Sequence, residues 1–222
     1  MVKFGTKCYS QNIINYNILM DEILQLIKKL ANENLEVNSS GNISFRLDPK
    51  KILIKPAGLS YREVNKKNIS VVDFNEKLIS GLKPSSDLSS HLAIYKNRPD
   101  INCIIHTHSH FATIFATIGK SIKITNTLHA DYFGEKIICL PYINHKVKNF
   151  GIQLLQSKKD VALLEKHGAV VIGSDYKNTI KKVIALEEIS KLNYHLMILP
   201  GSKKNTRELK KKDIYILNQA YR

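Results

Sequence analysis

His106 and His108, separated by Thr107, are two potential metal ligands one residue apart. In an extended strand, residues i and i+2 point to the same face, about 6.6 Å apart at a rise of ~3.3 Å per residue. Two imidazoles at that spacing can lean onto one ion. The apolar run 101–105 just before them reads as a buried strand, and Ser109 begins a helix. The pair then stands at the carboxyl end of a strand, where open α/β sheets place their sites. The competing reading is two polar histidines that merely end a strand.

A catalytic zinc site usually has three protein ligands and an open position. The other histidines are His91, His110, His129, His145, His167 and His195. His167 is the best placed, because it precedes Gly168 between two apolar runs and can emerge where a strand ends. His195 falls mid-helix one turn beyond Lys191, His145 lies in a polar loop beside Lys146, and His91 sits on a helix. For these, packing or surface roles are the simpler reading. Ser85 and Ser86 at a helix start, with Gly58 and Gly41-Asn42 in turns, could hold an anion through hydroxyls and backbone N–H groups. A Pro-Ser-Ser turn could equally be only a cap. Lys55, directly before Pro56, is either a cation for a phosphate or enolate or a solvated surface lysine.

The elements that must position these groups follow from periodicity and breakers. Residues 13–34 carry Ile14, Ile18, Leu19, Ile23, Leu26, Ile27 and Leu30 at helical spacing. Ser39-Ser40-Gly41-Asn42 breaks that helix, and 43–47 with 52–55 read as a strand pair closed by Pro56-Ala57-Gly58. A strand over 71–74, a short segment over 78–80 and a helix from Pro84-Ser85-Ser86-Asp87 to about Lys96 come next. Beyond the histidine pair the pattern predicts a helix over 109–117, a strand over 137–142 and a helix over 150–156. Runs 161–164 and 169–172 form a hairpin around His167, and a long helix from Tyr176 ends at Pro200-Gly201. The tail from Ser202 is basic and polar, with a weak helix over 206–218. This is an α/β or α+β pattern over one domain, residues 1–222, with no internal boundary.

At 222 residues the chain can bury a sizeable core, and 43% apolar residues suit a globular protein. No apolar stretch approaches the ~20 residues needed to span a bilayer, and the first residues lack a signal-peptide apolar region. Three cysteines without a Cys-x-x-Cys fit a reducing cytoplasm rather than a disulfide framework. The balance of 34 basic against 19 acidic residues, net +15, suggests anionic ligands such as sugar phosphates. The lysines are scattered and no nucleic-acid motif accompanies them, so neither nucleic acid nor membrane is expected as a partner.

Taken in order, Ser-Gly-Asn-Ile-Ser (40–44), Ile-Lys-Pro-Ala-Gly (54–58), Lys-Pro-Ser-Ser-Asp (83–87), His-Thr-His-Ser (106–109), His-Ala-Asp-Tyr-Phe (129–133) and His-Gly (167–168) carry a resemblance. The chain resembles the class II aldolase and pentulose-phosphate 4-epimerase family over nearly its whole length, more weakly after about residue 200. The resemblance implies a single three-layer α/β/α sandwich with a mixed, largely antiparallel central sheet. It implies Zn2+, or another divalent ion such as Mn2+ or Co2+, held by His106, His108 and His167, with Asp87 completing or flanking the site. Substrate phosphate and hydroxyls would be held at Gly41, Asn42, Ala57, Gly58, Ser85 and Ser86, with Lys55 and Thr127 also facing substrate. Asp131 matches an acid/base catalyst of the L-ribulose-5-phosphate 4-epimerases, and fuculose-phosphate aldolases carry small residues there and a tyrosine at the Thr127 place. Tyr221, or failing it Tyr215, matches the second epimerase catalyst, supplied by a neighbouring subunit. A homotetramer with sites between subunits is implied. The sequence departs from the epimerase pattern at His110-Phe111, where Arg-His is usual, and at Leu140-Pro141-Tyr142, which is similar to the aldolase branch. The alternatives are therefore an aldolase, a sugar-acid-phosphate decarboxylase, or a non-catalytic module like that of the adducins.

Overall fold

The structure, a computed structural model, describes the backbone of residues 6–33, 35–144, 149–201 and 207–221, and the side chains of these from residue 18 onward. His145 and the tail lysines Lys203 and Lys204 lie outside the described residues.

One helix, α1 (Thr6–Asn32), leads into an eight-stranded sheet. In chain order the strands are β1 (Asn42–Asp48), β2 (Lys51–Ile54), β3 (Ser70–Asp73), β4 (Leu78–Ser80), β5 (Cys103–Thr107), β6 (Ile138–Leu140), β7 (Val161–Leu164) and β8 (Gly168–Gly173). Between and after them lie α2 (Leu88–Asn97), α3 (His110–Thr117), α4 (Thr127–Phe133), α5 (Phe150–Ser157), α6 (Tyr176–Ile198) and a last helix, α7 (Lys211–Tyr221). The strand order is β4-β3-β2-β1-β5-β8-β7-β6. Every named pairing is antiparallel except that of β6 with β7.

The two-residue period of the strands decides which helices cover which face. Phe45, Leu53, Cys103, Ile105, Ala169 and Val171 point into one core with α1, α3 and α6. Their alternates Ile52, Ile54, Ile104, Val170 and Ile172 meet α2 and α5 in a second core. Both faces are therefore buried, which is why these strands read as continuous apolar runs rather than as alternation. The α/β/α sandwich with a mixed, largely antiparallel sheet is as expected.

Three expectations need correction. The strand carrying the first histidine covers Cys103–Thr107 rather than 101–105, because Ile101 is used in a turn, its N–H donating to the Arg98 carbonyl. His106 thus lies within the ladder, paired across to Val170, instead of just past its end. The strand expected over 137–142 is only Ile138–Leu140, and Ile137 makes an isolated bridge to Ile122. The tail helix is displaced to Lys211–Tyr221, and α4 was not expected at all.

Candidate metal centre

Sheet register builds the floor of the site. Across β1 and β5, Asn42 stands opposite His106, and across β5 and β8, His106 stands opposite Val170. By strand alternation His106 and Asn42 face the α2/α5 side together. His106 is buried, and its Nδ1 lies 2.9 Å from the Ala169 carbonyl. A carbonyl only accepts, so Nδ1 carries the proton and Nε2 presents its lone pair to the cluster. His108 follows one residue beyond β5, and His167 comes from the β7–β8 turn, where its N–H donates to the Leu164 carbonyl.

The three rings converge. His106 Nε2 is 3.0 Å from His108 Nε2 and 3.3 Å from His167 Nε2, and the set's ligand nitrogens all lie within 4.8 Å of one another. Nitrogens ~2.1 Å from one tetrahedral zinc stand about 3.4 Å apart, so the cluster has the size of a divalent-ion cradle. Gly168 keeps that cradle open. A Cβ there would meet the Thr107 carbonyl oxygen at 2.4 Å and the His108 ring at 3.2 Å. Burial, reinforced by the neighbouring His167, pushes the His106 imidazolium down to about 3. The ring is accordingly neutral, the form that can coordinate a cation.

Asp87, at the start of α2, flanks the triad. Its Oδ2 accepts from Asn42 Nδ2 at 2.7 Å and lies 3.9 Å from His106 Nε2. Burial opposes its ionisation, but the His106 and His91 imidazoles and the Asn42 hydrogen bond outweigh it and hold the carboxyl below the usual range. The Asn42 Oδ1 is buried without a hydrogen-bond partner among the described residues, which leaves an acceptor in a pocket it lines. Beneath this layer Ser44 Oγ joins His91 Nδ1 at 2.6 Å and Tyr95 Oη at 2.9 Å, tying β1 to α2. His91 is thus a buried packing residue, as its position on a helix suggested.

The pocket has a volume of about 220 Å³. Besides the histidines and Asp87, the lining includes Gly41, Asn42, Lys55, Ala57, Gly58, Ser85 and Ser86, so all of these are brought together. Gly41 has φ +75°, and a Cβ there would meet the His106 carbonyl oxygen at 2.9 Å. Only a glycine lets this loop approach the strand so closely. Lys55 is not a solvated surface residue. It is 1% exposed, donates from Nζ to the Ser39 carbonyl at 2.9 Å and also to the Leu59 carbonyl, and so ties the two loops of the pocket wall. Burial lowers its pKa, opposed by the charges of Glu36 and Glu63.

Asp131 and Tyr221 are elsewhere in the chain. Both line a second cavity of about 390 Å³ that shares no lining residue with the histidine pocket. Asp131 is on α4 and Tyr221 ends α7, with its ring 4.7 Å from that of Tyr132. A hydrogen bond with Tyr132 raises the Tyr221 hydroxyl to about 12. Thr127 opens α4 and is exposed, Tyr215 is exposed on α7, and neither lines the histidine pocket. Sequence reasoning missed α4, although Asn126, whose Oδ1 accepts the His129 N–H at 2.9 Å, and Gly134 in the left-handed C-cap bracket it.

A family model described as Class II Aldolase and Adducin N-terminal domain matches residues 21–194. An L-fuculose phosphate aldolase of Methanococcus maripaludis is 34% identical over 175 residues, covering 79% of this chain and 96% of that protein. The "Probable L-ribulose-5-phosphate 4-epimerase UlaF" of Mycoplasma pneumoniae is 31% identical over 216 residues, covering 88% of this chain and 89% of that protein. Among solved structures, YgbL of Klebsiella pneumoniae superposes with a TM-score of 0.80 at 26% identity, over 91% of this chain and 98% of that one.

Proposed function

This chain belongs to the class II aldolase and adducin N-terminal domain family, and on that premise we propose that it is a divalent-metal-dependent epimerase of a pentulose phosphate, of the L-ribulose 5-phosphate to D-xylulose 5-phosphate type. The observation that carries the metal and sugar-phosphate part is the convergence of three imidazoles beside Asp87 in a pocket walled by Ser85, Ser86 and two glycine loops. His106, His108 and His167 would hold the ion, Zn2+ or a similar one such as Mn2+ or Co2+. Bound there, it supplies Lewis-acid polarisation of a ketose carbonyl and stabilises negative charge during C3–C4 cleavage.

The chain's own groups do the rest. Ser85, Ser86 and the backbone at Gly58 take the phosphate, with the buried Lys55 charge behind them. Asn42 offers its unpartnered Oδ1 to a sugar hydroxyl while its amide holds Asp87. Inversion at C4 needs one group to take the hydroxyl proton and another, on the opposite face, to return it. Asp131 and Tyr221 are the pair assigned to that task. Both line a cavity that shares no residue with the histidine pocket, so this reading requires them to serve the pocket of a neighbouring subunit, in the homotetramer that the family resemblance implies.

An aldolase is the second reading, favoured by the 34% identity to the fuculose-phosphate enzyme and by Leu140-Pro141-Tyr142. Incubation of the metal-loaded protein with L-ribulose 5-phosphate separates the two. Formation of D-xylulose 5-phosphate is expected, whereas accumulation of free glycolaldehyde phosphate would assign the aldolase. Asp131→Asn is expected to retain its metal and to lose epimerisation by 100-fold or more, of the order general acid–base catalysis contributes (~10²–10⁴). Unchanged turnover in that variant would remove Asp131 from the mechanism.

A further inference from the structure

His108 sits on the short connection from β5 to α3, and the backbone of that connection is fixed by groups outside the pocket. The Thr107 hydroxyl donates to the Leu35 carbonyl and accepts the Ser109 N–H at 3.1 Å. Ser109 occupies the N-cap of α3, where a serine ordinarily accepts the N–H of the second or third helical residue. Here it does not. Ser109 makes no side-chain cap bond, and its Oγ is buried without a partner among the described residues. The two N–H groups it would have satisfied, those of Phe111 and Ala112, donate to Glu187 of α6, at 2.8 Å to Oε1 and 3.0 Å to Oε2.

One carboxylate from a helix 75 residues away therefore takes both orphan donors. Its charge faces the positive end of α3, and both bonds are charge-assisted. The helix that carries it is anchored by Val183, Leu186 and Ile189, all buried in the α1/α3/α6 core. We propose that Glu187 is a positioning residue for the metal centre. It pins the first turn of α3 to α6, sets where the backbone of His108 leaves β5, and so holds His108 Nε2 at 3.0 Å from His106 Nε2. It lines no part of the pocket and acts only through the helix start. The proposal rests on the reading of the three histidines as a metal site.

Loss of a group bonded directly to a metal ligand typically weakens a site by about 10–100-fold, and Glu187 acts one step further out, through the α3 backbone, so the low end of that range is expected. The test is calorimetric titration of the metal-free protein with Zn2+, comparing wild type with Glu187→Gln, Glu187→Asp and the exposed neighbour Glu188→Gln. Glutamine turns an amide donor towards one of the two N–H groups, and Glu187→Gln is expected to raise Kd by about 10-fold. Glu188→Gln is expected to match wild type. Glu187→Asp keeps the charge one methylene short and should show a smaller loss in the same direction, which preserves the test if Glu187→Gln does not fold. A folded Glu187 variant with wild-type Kd, even one with a lowered Tm, marks the residue as a helix cap alone and overturns the proposal. If wild type itself takes up no ion, the metal reading falls and this inference with it.

Discussion

At the scale of single residues, two buried histidines outside the pocket stay neutral where water would charge them. His91 is fully buried, and desolvation lowers its pKa to about 4 despite the nearby Asp87. His129 is lowered to about 4 as well, by burial that outweighs its backbone hydrogen bonds. An unfolded chain protonates both near pH 6.5, so below that pH the unfolded state binds protons the native state refuses. Stability is therefore complete above about pH 6.5 and falls as the pH drops towards 4, with no further loss from these groups below that. The loss is on the order of 3 kcal/mol from His91 alone. Urea denaturation of the metal-free protein at pH 7.5, 6 and 5 should show a falling midpoint at constant m. His91→Asn should flatten that slope, and an unaltered slope in the variant would assign the acid sensitivity to other groups.

At the scale of elements, short pieces are held by end groups rather than by apolar faces. α4 has seven residues, too few to persist without its caps. Asn126 closes its start, and Asn218 of α7 donates to the Ala130 and Asp131 carbonyls at its end, at 3.1 and 2.9 Å. Asn126→Ala should cost about 1 kcal/mol, read as a shift in the denaturation midpoint. It should also depress turnover more than metal content, since α4 carries Asp131. These end bonds explain what the sequence could and could not show. The strands were legible because both faces are apolar, and the His167 turn because two apolar runs bracket it. α4 was not, because Thr-Leu-His-Ala-Asp-Tyr-Phe has no helical apolar period and only its flanking Asn126 and Gly134 signal it. The burial of Lys55 and the reach of Glu187 to α3 depend on pairings far apart in sequence, which no local pattern encodes. The two-residue shift of β5 had the same origin, since Ile101 is apolar but spent in a turn.

At the scale of the whole molecule, the histidine pocket and the Asp131/Tyr221 cavity share no lining residue within one chain, and the proposed function requires them to meet across subunits. His108→Ala and Asp131→Asn should each be nearly inactive alone. If the halves meet across subunits, mixing the two variants and allowing subunit exchange should restore a measurable fraction of wild-type epimerisation. A mixture no more active than its components would mean that the two cavities do not meet across subunits.

The adjacency of β1, β5 and β8 has one more consequence. A slip of a single residue between β5 and β8 would turn His106 to the opposite face of the sheet and carry it away from His167. An ion seated among the three imidazoles would thus recognise one strand alignment and reject its neighbours, so that occupancy would act as a selector of the native pairing. Free ion at a thousandfold excess over its Kd would add about 4 kcal/mol to the stability of that alignment alone. Chelation should accordingly lower the Tm of wild type and leave that of His108→Ala where it was.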